Sequence, residues 1–229
     1  MHSGRPITYN RESLRFGKIL LRYVPSGARC FEVGCFPGRY LIFLAKEAQC
    51  TVSGIDYSDH FAGLKEFVER NGVTPEALYH EDFLSYRIPE RYDFVFSLGF
   101  IEHFKNYDEV ITRHIELVKS GGILFIACPN FRRAQWALHY LLDRETLNDH
   151  HLPSMDLDAW HKILQRAGMR YLEHGYLGTC RFWVGRELQG QHMRWLASRI
   201  GRCSRWIERR LNLPNKWTSP YMFSVSMKP

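Results

Sequence analysis

The stretch CFEVGCFPGRYL, Cys30 to Leu41, runs from a short apolar segment into a glycine turn and then into residues with helical spacing. The run ARCFEVG stops at Gly34 as a strand would, and RYLIFLAKEA carries apolar side chains at the intervals of one helix face. Working outward, CTVSGID reads as a second strand and HFAGLKEFVERNG as a second helix. PEALYHED leads into a loop, YDFVFSLG is a strand, YDEVITRHIELVKSGG is a helix stopped by its glycines, and ILFIACPN is a further strand. Upstream, Leu14, Ile19, Leu20 and Tyr23 give an amphipathic helix over 11–24, ending at Pro25. Downstream, LDAWHKILQRAGM reads as a helix, and RYLEHGYLG and YMFSVSMK as strands. Strands alternating with helices of this length imply an α/β fold, a mainly parallel sheet covered on both faces. No internal repeat or low-complexity segment interrupts it.

A chain of 229 residues, 45% hydrophobic and 14% aromatic, can bury one sizeable core, so a single domain over 1–229 is expected. No apolar run reaches the roughly 20 residues of a membrane span, and the opening residues lack an apolar segment of signal-peptide type. A soluble, cytoplasmic protein is the expectation. The six cysteines form no CxxC pair, which favours reduced thiols. The net charge of +7 is unevenly placed. Between Arg181 and Arg210 eight arginines stand against Glu187 and Glu208. There Trp183, Leu188, Met193, Trp195, Leu196, Ile200, Trp206, Ile207 and Leu211 recur at helical spacing, giving one apolar and one cationic face. This insertion, about 180–215, could roof a pocket, dock a partner or rest peripherally on an anionic membrane.

In an open α/β sheet the ligand lies beyond the carboxyl ends of the strands, where strand order reverses. Gly34 and Gly38 stand there, but the dinucleotide pattern GxGxxG is not met. The stretch EVGCFPG instead resembles the E-x-G-x-G-x-G turn of class I S-adenosylmethionine-dependent methyltransferases, with Glu32, Gly34 and Gly38 in register and Phe36 replacing the middle glycine. Later landmarks follow in order: Asp56 ending TVSGIDYS, Asp82 in YHEDFLSY, then YDFVFSLGFIEHF and SGGILFIACPNF. The last two look most like the small-molecule branch called type 11 or type 12. The resemblance implies a Rossmann-like, doubly wound sheet of seven strands, mainly parallel with the last strand antiparallel, and S-adenosylmethionine as cofactor. It implies a site of Glu32, Gly34, Cys35, Phe36 and Gly38 at the turn, Asp56 and Tyr57 after the second strand, Asp82 and Phe83 beside the adenine, and Ser97 and Leu98 facing the methionine end. Asp56, 22 residues after Gly34, is also placed for its carboxylate to accept from both ribose hydroxyls. A side chain at Phe36 forces ordinary φ values and narrows the approach to the methionine.

The methyl carbon of a sulfonium is already activated, so such a site needs only to align a nucleophile and manage one proton. Glu102 and His103 in GFIEHF, just past the fourth strand, are the candidates for the proton, with bracing of the loop as the other reading. The long connection at about 129–155 has the size of a lid, and in it Asn130, Arg132, Arg133, Trp136, Tyr140 and His151 are candidates for substrate contact. No metal is assigned, because the adjacent His150 and His151 rarely converge on one ion. The expected function is methyl transfer to a small polar or anionic acceptor, an oxygen of a sugar or of a phosphorylated or lipid-linked glycan. A nucleic-acid methyltransferase would use the basic run, but the chain lacks an Asn/Asp-Pro-Pro-aromatic motif for a flipped base, so no nucleic acid is expected. A non-catalytic cofactor-binding module is the reading from another class.

Overall fold

Alternate residues of a strand point to opposite faces, and where both sets are apolar both faces must be covered. The computed structural model describes residues 9–182, 191–211 and 213–229, the side chains of Gln191 and Met193 apart. Its elements run α1 Gly17–Tyr23, β1 Arg29–Val33, α2 Arg39–Glu47, β2 Thr51–Ile55, α3 Phe61–Arg70, β3 Ala77–Tyr79, β4 Tyr92–Leu98 and α4 Tyr107–Leu117. They continue with β5 Val118–Pro129, α5 Ala134–Leu142, α6 Arg144–Asn148, α7 Leu157–Arg166, β6 Arg170–Leu177, α8 Gln191–Arg210 and β7 Tyr221–Met227. The sheet has seven strands in the order β3-β2-β1-β4-β5-β7-β6. Neighbours from β3 to β5 are parallel, and β7 is antiparallel to both β5 and β6. This is the Rossmann-like arrangement that the resemblance implied.

The strands divide their side chains as the pleat requires. Cys30, Val52, Phe94, Phe96 and Phe125 pack with α1, α2 and α3 on one face, and Phe31, Val33, Val95, Leu124 and Ile126 with α4 and α7 on the other. Trp160 of α7 is fully buried, and its indole N–H donates to the Ser154 carbonyl at 2.6 Å. The register brings the functional ends together: Val33 stands level with Ile55 of β2 and Ser97 of β4, and Leu98 with Ala127 of β5. The residues that follow these strands therefore emerge side by side at the point where the chain order reverses between β1 and β4.

Several boundaries differ from the sequence reading. The helix expected over 11–24 is a 3-10 turn at Arg11–Ser13, capped by the Asn10 side chain, followed after a break by α1. Helix α4 ends at Leu117, before the glycines, because Val118 already pairs with Tyr92 and Lys119 reaches Asp93 at 2.7 Å. The segment before His80 is β3, paired with β2. The connection at 129–155 holds α5, α6 and a 3-10 turn at Leu152–Ser154. In the basic insertion, Trp183, Arg186, Glu187 and Leu188 lie outside the described residues, as does the Met193 side chain. Among the described residues, no helix is long and apolar enough to cross a membrane.

Candidate functional site

The turn after β1 depends on two glycines with left-handed backbone. Gly34 has φ +73°, and a Cβ there would stand 2.7 Å from the ring of Phe100. At Gly38, φ is +88° and a Cβ would meet Val68 at 2.6 Å and Leu64 at 2.8 Å, so α2 can begin close against α3 only with glycine. Between them, the amides of Gly34 and Cys35 donate to the Ile55 carbonyl at 2.9 and 3.2 Å, and the amide of Gly38 donates to the Cys35 carbonyl at 2.6 Å.

Asp56 ties this turn to the next one. Its Oδ2 accepts from the Phe36 amide and its Oδ1 from the Ser58 amide, each at 2.8 Å. A carboxylate oxygen has two acceptor positions, so each keeps one for a further donor such as a ribose hydroxyl. Phe36 is half-buried, its ring 5.9 Å from that of His60.

A cavity of about 290 Å³ opens beside the turn, lined by Glu32, Gly34, Cys35, Phe36, Gly38, Leu98 and Gly99 from the strand ends, with Arg15, Arg39, Tyr40, Cys128 and Tyr221 around them. Glu32 is buried and its Oε2 has no hydrogen-bond partner; burial first, and the nearby Asp56 charge second, push its carboxyl well up. Burial, then the Glu32 charge, likewise raise the Cys35 thiol. Arg39 has an unpartnered buried Nε, and the Arg15 guanidinium stands 4.2 Å over the Tyr221 ring. One orphaned carboxyl and two guanidinium groups lining one cavity fit the ammonium and carboxylate of a methionine moiety. Residues present thus fit S-adenosylmethionine.

The remaining expected residues are distributed unevenly. Tyr57 is 74% exposed and free to cover a ligand, its ring 6.2 Å from His80. Asp82 caps its own loop, accepting from the Leu84 amide and the Ser85 hydroxyl. Phe83 is buried against Phe100 and His114. Ser97 is fully buried between β1 and β5 and does not line the cavity, whereas Leu98 does.

Glu102 is buried with an unpartnered Oε2, and burial pushes its carboxyl up to about 8. Its Oε1 lies 3.3 Å from where a Cβ on Gly99 would stand, so it sits directly behind the cavity wall. His103 beside it is exposed.

The proposed substrate residues do not form one surface. Asn130, Arg132 and Arg133 line a second cavity of about 300 Å³ with Tyr176 and Lys216. Within that group Arg132 pairs with Asp156 at 2.8 Å, and Asn130 donates to the Ser219 carbonyl. Trp136 and Tyr140 stack on each other at 4.9 Å on α5, and His151 packs near Tyr107. Sequence reasoning missed Arg15, Arg39, Tyr40 and Tyr221. Arg39 alone carried a signal, as the first helical residue after the turn.

The profile of a family described as a methyltransferase domain matches residues 8–174. (S)-coclaurine N-methyltransferase of Papaver somniferum is 28% identical over 108 residues, 45% of this chain and 30% of that protein. Ubiquinone biosynthesis O-methyltransferase of Pseudomonas fluorescens is 28% identical over 138 residues, 57% of this chain and 53% of that protein. The chain thus matches a third to a half of these curated relatives' lengths. In fold it is similar to phosphoethanolamine N-methyltransferase 2 of Haemonchus contortus in complex with S-adenosyl-L-methionine, with a TM-score of 0.63 at 17% identity over 93% of this chain and 51% of that one.

Replacing Asp56 by Ala removes the bridge between the turns and the carboxylate oxygens that have room for a ribose hydroxyl. Calorimetric titration with S-adenosylhomocysteine is expected to show affinity lowered by about 10- to 100-fold, the value of hydrogen bonds to a charged group; Asp56→Ala binding like the wild type would contradict the assignment.

Proposed function

We propose, from the premise that this chain belongs to the methyltransferase-domain family and is a class I S-adenosylmethionine-dependent methyltransferase of the type 11/12 group, that it methylates an oxygen of a small polar or anionic acceptor such as a sugar or a phosphorylated or lipid-linked glycan. The observation that supports this reading is the cavity at the ends of β1 and β4, lined by Glu32, Arg15 and Arg39. When bound, S-adenosylmethionine supplies a methyl carbon activated by a positive sulfur. Asp56 holds the ribose, Tyr57 covers the adenine, Asp82 and the Phe83 amide meet its edge, and Glu32 and the two arginines fix the methionine end. Leu98 and Gly99 form the wall towards the reacting carbon, with Ser97 buried in β4 before them. Glu102, behind that wall, and the exposed His103 next to it in the chain take up the acceptor's proton in this reading.

The acceptor's chemistry is read from the charges at the rim. Arg132, Arg133 and Lys216 line the second cavity with Asp156, the partner of Arg132, and Asp158, a net positive lining that favours an anionic group, and Asn130, Trp136, Tyr140 and His151 come from the same connection after β5. Phosphoethanolamine N-methyltransferase, by its name, acts on a phosphorylated small molecule. The test is incubation with S-adenosylmethionine and a panel of sugars, sugar phosphates and lipid-linked glycans, read by mass spectrometry. A gain of one methyl on an anionic or polar acceptor with matching S-adenosylhomocysteine supports the reading. Transfer only to amines or to nucleic acid would overturn the acceptor, and cofactor turnover with no acceptor would overturn the enzyme.

Helix α8 supports a peripheral site of work. Trp195, Leu196 and Trp206 are exposed, and Arg199 and Arg210 lie over the two indoles at 5.1 and 4.5 Å. Exposed indoles among arginines suit the headgroup layer of an anionic bilayer. In a flotation assay the protein is expected to rise with phosphatidylserine-containing vesicles and not with phosphatidylcholine alone, and the double variant Trp195→Ala/Trp206→Ala to lose that binding; equal recovery of wild type and variant contradicts the contact.

A further inference from the structure

Behind the cavity wall three metal-binding side chains converge from two separate segments. Ligand atoms of Glu102, His103 and His150 all lie within 4.8 Å of one another. Glu102 and His103 belong to the 3-10 turn Ile101–His103 after β4, and His150 follows α6 in the connection after β5. The backbone joins the two segments, since the His151 amide donates to the Glu102 carbonyl at 2.7 Å.

Both imidazoles are oriented alike. His103 Nδ1 faces the Asp149 carbonyl at 3.3 Å, and His150 Nδ1 faces the Thr146 carbonyl at 2.5 Å. A carbonyl oxygen only accepts, so each Nδ1 carries the proton and each Nε2 presents a lone pair. Metal-bound histidines are set in the same way, with the far nitrogen donating to a carbonyl. The third donor is the carboxylate of Glu102, which is buried and whose Oε2 is unpartnered. A buried carboxylate oxygen without a donor calls for an occupant. The two histidine rings are 4.8 Å apart, with the Phe131 ring 4.9 Å from His150, so one side of the cluster is apolar.

We propose that Glu102, His103 and His150 bind one divalent first-row transition cation, of the zinc, cobalt or iron class. Two imidazoles and one carboxylate are a donor set of such sites, and three protein ligands leave a position for water or substrate. Bonds of about 2.0–2.2 Å place tetrahedral donors roughly 3.4 Å apart. The cation therefore draws the donors in by about 1 Å, which the exposed His103 can supply by rotation. The role of the open position rests on the methyltransferase reading: it holds an acceptor oxygen at the back of the cavity and makes its hydroxyl more acidic. The binding of the cation does not rest on that reading.

The test uses the full chain freed of metal with a chelator and titrated with Co²⁺ alone, followed by visible absorbance, then with Zn²⁺ as competitor. One equivalent of Co²⁺ is expected to produce ligand-field bands that Zn²⁺ abolishes. His103→Ala, at an exposed position, and His150→Ala are each expected to weaken binding by more than about 10-fold, at least the effect of losing an outer partner. His161→Ala, away from the cluster, is the control. Absence of stoichiometric bands in the wild type, or bands unchanged in both His103→Ala and His150→Ala with folding verified by circular dichroism, overturns the site. Calorimetry with S-adenosylmethionine in chelator is the separate check: binding there without Co²⁺ binding sinks the metal alone, and the reverse sinks the cofactor reading alone.

Discussion

The carboxylate of Asp56 holds two loops at once, and the site is arranged around that bridge. One oxygen fixes the Phe36 amide in the turn after β1, the other the Ser58 amide in the turn after β2. A hydrogen bond to a charged acceptor is about twice as strong as a neutral one, so the spacing between the turns is set by a stiff contact. The level register of Val33, Ile55 and Ser97 places the strand ends for it. Gly34 then lets Phe100 approach the turn, and Gly38 lets α2 lie against α3. The cavity is what remains between these fixed parts, and its charges are those of the buried Glu32 and of the arginines that line it with Glu32.

Much of this was legible in the sequence because it is local. Gly34, Gly38 and Asp56 are dictated by backbone conformation and by position at a strand end, which residue type and spacing encode directly. The alternation of strand and helix fixed the sheet for the same reason. Phe36, the departure from the glycine pattern, was also readable in outline: its backbone avoids positive φ, and its ring lies half-buried against His60. What spacing could not reveal came from contacts across the chain. Arg15 reaches the cavity only because the expected N-terminal helix breaks between Ser13 and Gly17 and brings that residue over Tyr221, more than two hundred positions later. Asn130, Arg132 and Arg133 follow Pro129 directly, yet they turn to a different cavity, because Asn130 is held by the Ser219 carbonyl and Arg132 by Asp156.

The same limit applies to the histidines. Read along the chain, His150 and His151 are neighbours that cannot serve one ion, and His103 is a lone base candidate. In three dimensions the connection after β5 folds back until the His151 amide meets the Glu102 carbonyl, and His150 enters the cluster while His151 packs near Tyr107. The segment that differs most from a plain βα connection thus packs against the turn that follows β4. The basic helix α8 stands in the chain just before β7, whose first residue Tyr221 lines that cavity.

If the crevice between the first two turns is a nucleoside site with a methionine end, it holds the adenosyl part and the amino acid part of one ligand. A crystal structure with S-adenosylhomocysteine tests that most directly. The predicted result is a ribose on Asp56, with the amino acid end between Glu32 and the guanidinium groups of Arg15 and Arg39. A crevice filled by the Phe36 ring, or the compound bound away from Asp56, would contradict it.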